Sequence, residues 1–380
     1  MFRQPRKRIL PKRLRIPALI LIIAVVAFLL GIGSWTRWNR APSAGKPIGS
    51  PGTAHPSPVI TSGIPPINNG SVSPLIFGTN LSLFDSNDQV LTSAATRNAL
   101  QQMHFRIIRM PVRPSLSNAT EIQAAQAIKS IGAYALVVLR GAVDANVLAD
   151  DTRLVNDMNN VFGNTVVFYE YGNEGDLLGV NVNRYTDSWN SIVPQLKRIA
   201  LNGQFIGPVN YHYDGDYLTT FLQHANPRPD EVSWHEYSCD DSWSNDTCIS
   251  HIDNWTTHIS DARNEMTATI GMALPIMITE WNYAPNANAG DGKINDSSFM
   301  TTWTTRALET LAANRVFASM QYACTNSVYA VIRGDGTPTA QGIAIQNLYQ
   351  RMFLNDEQPT PISTAAYGQT RPAPILISTQ

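Results

Sequence analysis

The sequence predicts a (β/α)8 barrel, an α/β fold, preceded by one N-terminal transmembrane helix and a disordered linker. Three observations point to the barrel. Eight short apolar runs, each the length of a buried strand, recur between residues 72 and 355. Each is followed by a segment with helical spacing or a helix-start signal. The span, roughly 280 residues, is the size such a barrel takes. A doubly wound open sheet alternates in the same way. It calls for a ligand signature such as a Gly-rich turn after the first strand, and FGTNLSLFD carries none.

The chain opens on a basic segment, residues 1–15, expected to be cytoplasmic. Nine Lys or Arg and no acid fall within residues 1–40. Removing those nine from the 28 basic residues leaves 19 against 29 acids, a net of about −10 for the rest. A mildly acidic body argues against nucleic acid as a partner. Residues 16–35, IPALILIIAVVAFLLGIGSW, contain no charge and are long enough to cross a bilayer as a helix. Basic residues before this run favour a cytoplasmic N-terminus and place the following domain outside the cytoplasm. A cleaved signal peptide, and so secretion, is the alternative. A small-x-small site should then follow, where Trp35-Thr36-Arg37-Trp38 stands. Residues 36–71 are rich in Pro, Gly and Ser and read as an extended spacer. Residues 356–380 read as a loose C-terminal tail.

The strand-like runs are PLIFGTN, FRIIRMP, ALVVLRG, VVFYEYGNE, QFIGPVN, EVSWHEY, PIMITEWN and VFASMQYA. Helical signals follow them. Asn118-Ala-Thr-Glu121 reads as a capping box before IQAAQAIKSI. NRYTDSWNSIVPQLKRIA, SHIDNWTTHISDARNEM, SSFMTTWTTRALETLAAN and AQGIAIQNLYQRMF carry helical spacing. The signals after the first, third and fifth runs are weaker. Of three cysteines, Cys239 and Cys248 flank DDSWSNDT and are spaced to close a surface loop, leaving Cys324 odd and expected to be buried. No group has zinc-ligand spacing. His235-Glu236 starts like H-E-x-x-H, but the fifth position is Cys239 and the segment reads as a strand.

A barrel collects its functional side chains at the C-terminal ends of its strands. Those ends carry Arg109 on the second strand, Asn173 and Glu174 on the fourth, His235 and Tyr237 on the sixth, and Glu280 and Trp281 on the seventh. The fourth and seventh strands lie three apart in a ring of eight, so Glu174 and Glu280 should face each other across the mouth. Paired carboxylates in a pocket rimmed with aromatics fit glycoside hydrolysis, in which one carboxyl gives a proton while the other attacks. Arg109 and Tyr237 would favour the ionised form of the attacking group, and Asn173 suits a sugar 2-hydroxyl. Glu170, four residues before Glu174, reads as a structural partner for a buried Arg. Trp281, Tyr283, Trp234, Tyr211, Tyr213 and Trp243 form a candidate sugar-stacking set, with Trp281 foremost and Tyr211 next.

IIRMPV, YEYGNEGD, WHEY and ITEWNY together resemble the strand-end motifs of clan A glycoside hydrolases, of the cellulase and xylosidase kind. As an architecture the resemblance covers most of residues 72–355, and it is specific at those four points. It implies Glu174 as general acid/base and Glu280 as nucleophile. It further implies that Asn173 contacts the 2-hydroxyl and that Arg109, His235 and Tyr237 support the carboxylates. Retention of configuration and a carboxyl separation of about 5–5.5 Å would follow. Many members of the clan carry a Trp at the end of the eighth strand; here that strand reads ASMQYACTNS, and Tyr322 stands nearest to that place. The expectation is an O-glycosyl hydrolase acting on β-linked glycans or glycosides, without metal or organic cofactor, at the cell membrane. Transglycosylation of a surface polysaccharide uses the same residues, and a carbohydrate-binding protein on the same barrel is the non-enzymatic alternative.

Overall fold

The computed structural model describes residues 71–354, apart from 112, 144–146 and 286–289. The basic segment 1–15, the apolar run 16–35, the linker up to residue 70 and the tail 356–380 lie outside the described residues. Among the described residues no helix is long and apolar enough to cross a membrane.

Eight strands close into one barrel in chain order. They are β1 Gly78–Asn80, β2 Ile107–Met110, β3 Tyr134–Leu139, β4 Val167–Tyr171, β5 Gly203–Asn210, β6 Glu231–Tyr237, β7 Ile276–Asn282 and β8 Ala318–Gln321. All neighbours run parallel, and β1 closes the ring against β8. Each of the eight apolar runs therefore overlaps one strand. Parallel strands buried on both faces need continuous apolar sequence, which is why the runs stood out.

Helices fill every crossover. They are α1 Gln89–Thr92, α2 Ala94–Gln102, α3 Asn118–Ile131, α4 Val147–Phe162, α5 Val182–Ile199, α6 Gly215–His224, α7 Asn245–Ser250, α8 Asp253–Ile270, α9 Ser297–Ala313 and α10 Ala340–Tyr349. The weak signals after the first, third and fifth runs correspond to α1 with α2, α4 and α6. In α4 the buried stripe is Val147, Asp151, Leu154, Val155, Met158, Val161 and Phe162. Acids and amides interrupt that stripe in the sequence, which masked its period. The cap of α3 differs from the expected one. Ser117, not Asn118, is its N-cap, and the Ser117 hydroxyl accepts from the Thr120 N–H at 3.2 Å. Glu121 turns away to meet Arg153 at 2.8 Å.

Two apolar layers hold the barrel. Inside it, Ile107, Leu136, Phe168, Ile206, Met277 and Met320 pack on one another. Outside, Ile108, Val137, Tyr169, Val232 and Ile278 join the side chains of the helices in a larger core. The alternation follows from the pleat of each strand. Cys239 and Cys248 are disulfide-bonded, and Cys324 is free and buried.

Gly78 opens β1 where two neighbouring strands crowd it. A Cβ there would fall on the carbonyl oxygen of Ser319 and lie 2.7 Å from Ile107 Cγ2. Gly78→Ala should destabilise the protein by about 1–3 kcal/mol through overpacking. An unchanged urea midpoint would show that the barrel accommodates the methyl group.

Candidate active site

Arg109 is the centre of the strand-end cluster. It lies on β2, inward-facing and 2% exposed. Its Nε donates to Glu170 Oε2 at 2.6 Å, and its Nη1 to Glu280 Oε1 at 2.5 Å and Asn80 Oδ1 at 3.1 Å. Its Nη2 donates to Asn173 Oδ1 at 2.6 Å. One guanidinium thus links the ends of β1, β2, β4 and β7. Glu170 also accepts from the Ser233 hydroxyl of β6 at 2.8 Å, so its place is that of a buried partner to Arg109, as the sequence suggested.

Glu280 is fixed at both oxygens. Oε1 receives Arg109, and Oε2 receives the Tyr237 hydroxyl at 2.9 Å. Burial pushes the Glu280 pKa up, but His235, Arg109 and Tyr237 outweigh it and hold the carboxyl below its ordinary range. Glu280 faces the mouth because the β7 ladder is irregular. Register shifts occur between Trp234 and His235 on β6 and between Ile278 and Trp281 against β8.

Glu174 lies past the end of β4. Gly172, at φ 98°, turns the chain, and it packs so closely on Gly141 that a Cβ on Gly141 would meet the Gly172 Cα. Glu174 itself has φ 48°, and its N–H donates to the Val209 carbonyl at 2.9 Å. Its Oε1 lies 2.7 Å from His235 Nδ1, and the proton in that contact can sit on either atom. Its side chain is 21% exposed against 13% for Glu280. His235 is fully buried. Burial lowers its pKa, but the Glu280 charge and the Glu174 contact raise it to a net value above the ordinary one.

One ligand atom each of Glu174, His235 and Glu280 lies within 4.8 Å of the others. These are residue types that a divalent ion uses. Both oxygens of Glu280 already accept from Arg109 and Tyr237, however, so the set is organised around protons and hydrogen bonds.

Of the other expected residues, Tyr237 and Tyr211 stand side by side, with ring centroids 6.1 Å apart. Tyr322 is half-buried, and burial together with the Glu280 charge raises its pKa. Trp281 is not brought to the pocket. It is fully buried and packs on Trp303 of α9 at 5.9 Å between centroids. Strand alternation sends the neighbour of an inward Glu280 outward, so Trp281 is a core residue. Tyr283 and Trp234 are buried as well. Two contributors were missed. Asn80 ends β1, accepts from Arg109, and donates to the Thr279 carbonyl at 3.1 Å. Its position at a strand end was the available signal. Ser233 had none, since a serine inside an apolar strand reads as packing.

No protein-family model matches the chain, and comparison with curated proteins finds no match. Solved structures do share its fold. A family 51 α-L-arabinofuranosidase from Bifidobacterium longum is 11% identical, with TM-score 0.58, over 73% of this chain and 73% of its own. A glucosidase from Croceicoccus marinus is 15% identical, with TM-score 0.53, over 74% of this chain and 70% of its own. A GH5-4 broad-specificity endoglucanase from an uncultured bacterium is 13% identical, with TM-score 0.50, over 73% of this chain and 95% of its own. These neighbours are glycoside hydrolases; at such identities the likeness is one of fold.

The Glu280 environment has a thermodynamic consequence. Its folded pKa lies below the ordinary 4.5, so its ionisation stabilises the fold fully above about pH 4.5. That contribution is lost as pH falls through the lower folded value. His235 acts with the opposite sign: its contribution is full below about pH 6.5 and is lost as pH rises through its raised value. In Glu280→Gln the acid-side slope should disappear. The parent-minus-variant unfolding free energy, measured by urea titration, should therefore shrink from about pH 6 to about pH 3. A difference that stays flat over that range would contradict the depressed carboxyl.

Proposed function

We propose that this chain is a retaining glycoside hydrolase, with Glu280 as nucleophile and Glu174 as general acid/base. The observation that carries the reading is a facing pair of carboxylates with unequal environments. An oxygen of one lies within 4.8 Å of an oxygen of the other. Retaining enzymes hold their two carboxyl groups about 5–5.5 Å apart, whereas inverting enzymes leave about 6.5–9.5 Å for a water between them. An oxygen-to-oxygen approach within 4.8 Å supports the shorter, retaining arrangement.

The roles follow from the environments. A nucleophile must be ionised and held still, and Glu280 receives Arg109 and Tyr237 on its two oxygens. A proton carrier must exchange its proton at each step, and Glu174 contacts the ring nitrogen of His235. In the first step Glu280 bonds to the anomeric carbon, the glycosidic bond breaks, and the Glu174 proton passes to the leaving oxygen. In the second, Glu174 takes a proton from water as that water attacks the anomeric carbon, and the Glu280 ester breaks. Two inversions give net retention. Asn173, held by Arg109 at 2.6 Å, would meet the 2-hydroxyl. Neither step requires a metal or an organic cofactor.

The substrate class is a β-linked glycan or glycoside. The structural neighbours range from an α-L-arabinofuranosidase to an endoglucanase, and this supports the reaction type without choosing the sugar. On the N-terminal segment expected from the sequence, the catalytic domain would be carried outside the cytoplasm at the cell membrane.

Glu280→Ala should show no turnover on a panel of aryl β-glycosides and β-linked oligosaccharides while still unfolding cooperatively in urea, at a lower midpoint than the parent. Glu174→Ala should lose roughly 10²–10⁴-fold on substrates with poor leaving groups and much less on activated aryl glycosides, which need no proton. NMR of the first product should show the substrate's anomeric configuration. Equal losses on both substrate types would remove the acid role, and an inverted product would remove the nucleophile.

A further inference from the structure

A cleft of about 500 Å³ adjoins the carboxylate pair on the β5–β6 side. Tyr211, Tyr237, Trp243, Asp240, Asn254 and His258 line it. It borders the carboxylate pair through Tyr237, which lines it and whose hydroxyl donates to Glu280 at 2.9 Å.

Trp243 distinguishes this cleft. Among the described residues the other five tryptophans, Trp189, Trp234, Trp255, Trp281 and Trp303, are at most 2% exposed, whereas Trp243 is 38% exposed. A partly exposed aromatic side chain forgoes a share of the burial that is worth about 1.5–3 kcal/mol for a fully buried large apolar side chain. Its loop is built to hold it there. The Cys239–Cys248 disulfide closes the loop, and both cysteines are buried. At the base, the Ser238 hydroxyl donates to the Cys248 carbonyl at 3.0 Å and receives the Trp303 indole N–H at 2.8 Å. The buried Lys293 ammonium donates to the Asp241 carbonyl at 3.0 Å, and the Asn245 amide to Asp296 Oδ2 at 3.2 Å. The Trp243 ring then rests edge-on against His251, centroids 4.4 Å apart. Tyr211, across the cleft, is tied through its N–H to Asp176 at 3.1 Å.

We propose that the disulfide-closed loop 239–248 forms a second carbohydrate subsite in which Trp243 stacks on a sugar remote from the bond that is cleaved, so that the enzyme takes β-linked oligosaccharide chains; this rests on the glycosidase reading of the adjoining pair. Pyranose rings present apolar C–H faces to an aromatic platform and hydroxyls at their rims. Asp240, Asn254 and His258 supply polar atoms for the rim. Anchoring the platform before binding lowers the ordering cost that a mobile loop would carry.

The test measures affinity against chain length in the full chain carrying Glu280→Gln, which separates binding from turnover. The probes are the disaccharides and pentasaccharides of the β-1,4-glucan, β-1,3-glucan and β-1,4-xylan series, titrated calorimetrically. The proposal expects at least one series to gain about tenfold in affinity from disaccharide to pentasaccharide. Trp243→Ala should abolish that gain and Trp243→Phe should restore most of it, a pattern that a merely structural role would not give. A gain that survives in Trp243→Ala, or pentasaccharides that bind no better than disaccharides in every series, overturns the subsite. The two readings fail separately. Turnover on aryl glycosides without a chain-length gain removes the subsite and leaves the hydrolase. A Trp243-dependent gain in a protein whose Glu280 form turns nothing over keeps the subsite and removes the hydrolase.

Discussion

The arrangement at the barrel mouth depends on one buried guanidinium. Arg109 is 2% exposed and donates to two carboxylates and two amide oxygens on three other strands. A charge in that position is tolerable only because each donor is answered. The reverse also holds: two carboxylates at 2.6 and 2.5 Å share one positive charge. Desolvation lowers the pKa of the neighbouring His235, but the Glu280 charge and the Glu174 hydrogen bond raise it above its ordinary value. Arg109, His235 and Tyr237 together hold Glu280 below the ordinary carboxylate range in a site whose burial would otherwise drive it up. Burial would lower the Arg109 pKa, but Glu170 and Glu280 outweigh it and raise it. Removing any one member leaves the others buried and unmatched.

The barrel interior is graded to support that cluster. Its lower layers are apolar, with Ile107, Phe168 and Met277 packed together. Two residues further along the same strands stand Arg109, Glu170 and Thr279, because every second side chain of a strand points inward. The step from hydrocarbon to charge occurs within one pleat. Below it the barrel contributes burial; above it the same strands hold polar atoms in fixed positions. On β2 and β4 one inward column thus serves both burial and the polar cluster, whereas β7 presents Glu280 through its irregular register.

Much of this was legible because buried parallel strands and strand-end charges both leave local marks. IIRM is apolar up to the arginine that turns inward, and YEYGNE shows the glycine at which the strand ends. The spacing of Cys239 and Cys248 allowed a closed loop, and the structure supplies the pairing. What was illegible depends on contacts between distant segments. Trp281 follows Glu280 directly, and only the irregular register of β7 against its neighbours decides which of the two faces inward. Asn80 carries no motif, and its role comes from Arg109, 29 positions later. Ser117 lost the cap of α3 to Asn118 in the reading, because Glu121 three residues after Asn118 completes a capping box. The structure gives that glutamate to Arg153 on a different helix instead.

The two carboxylates differ in how the backbone presents them, and that difference bears on their chemistry. Glu280 belongs to a strand and is paired with His235 across the β6–β7 ladder, so its Cα moves only with the barrel. Glu174 lies beyond its strand in the left-handed region, which costs a residue with a Cβ about 1–2 kcal/mol. Val209 on the adjoining strand is also left-handed, at φ 63°, and is β-branched, so its conformation is still less favourable. The two strained residues are bonded to each other, Glu174 N–H to Val209 C=O at 2.9 Å. Neither conformation is explained by its own sequence; each is held by the other and by the glycine contact between Gly141 and Gly172. Strain of this kind persists where the surrounding structure over-determines a position. Here it lifts one carboxylate out of the ladder and turns it back over the mouth, to within reach of His235 and of Glu280. The approach of the two carboxylates, with an oxygen of each within 4.8 Å of the other, therefore depends on a backbone distortion on one side and a strand ladder on the other.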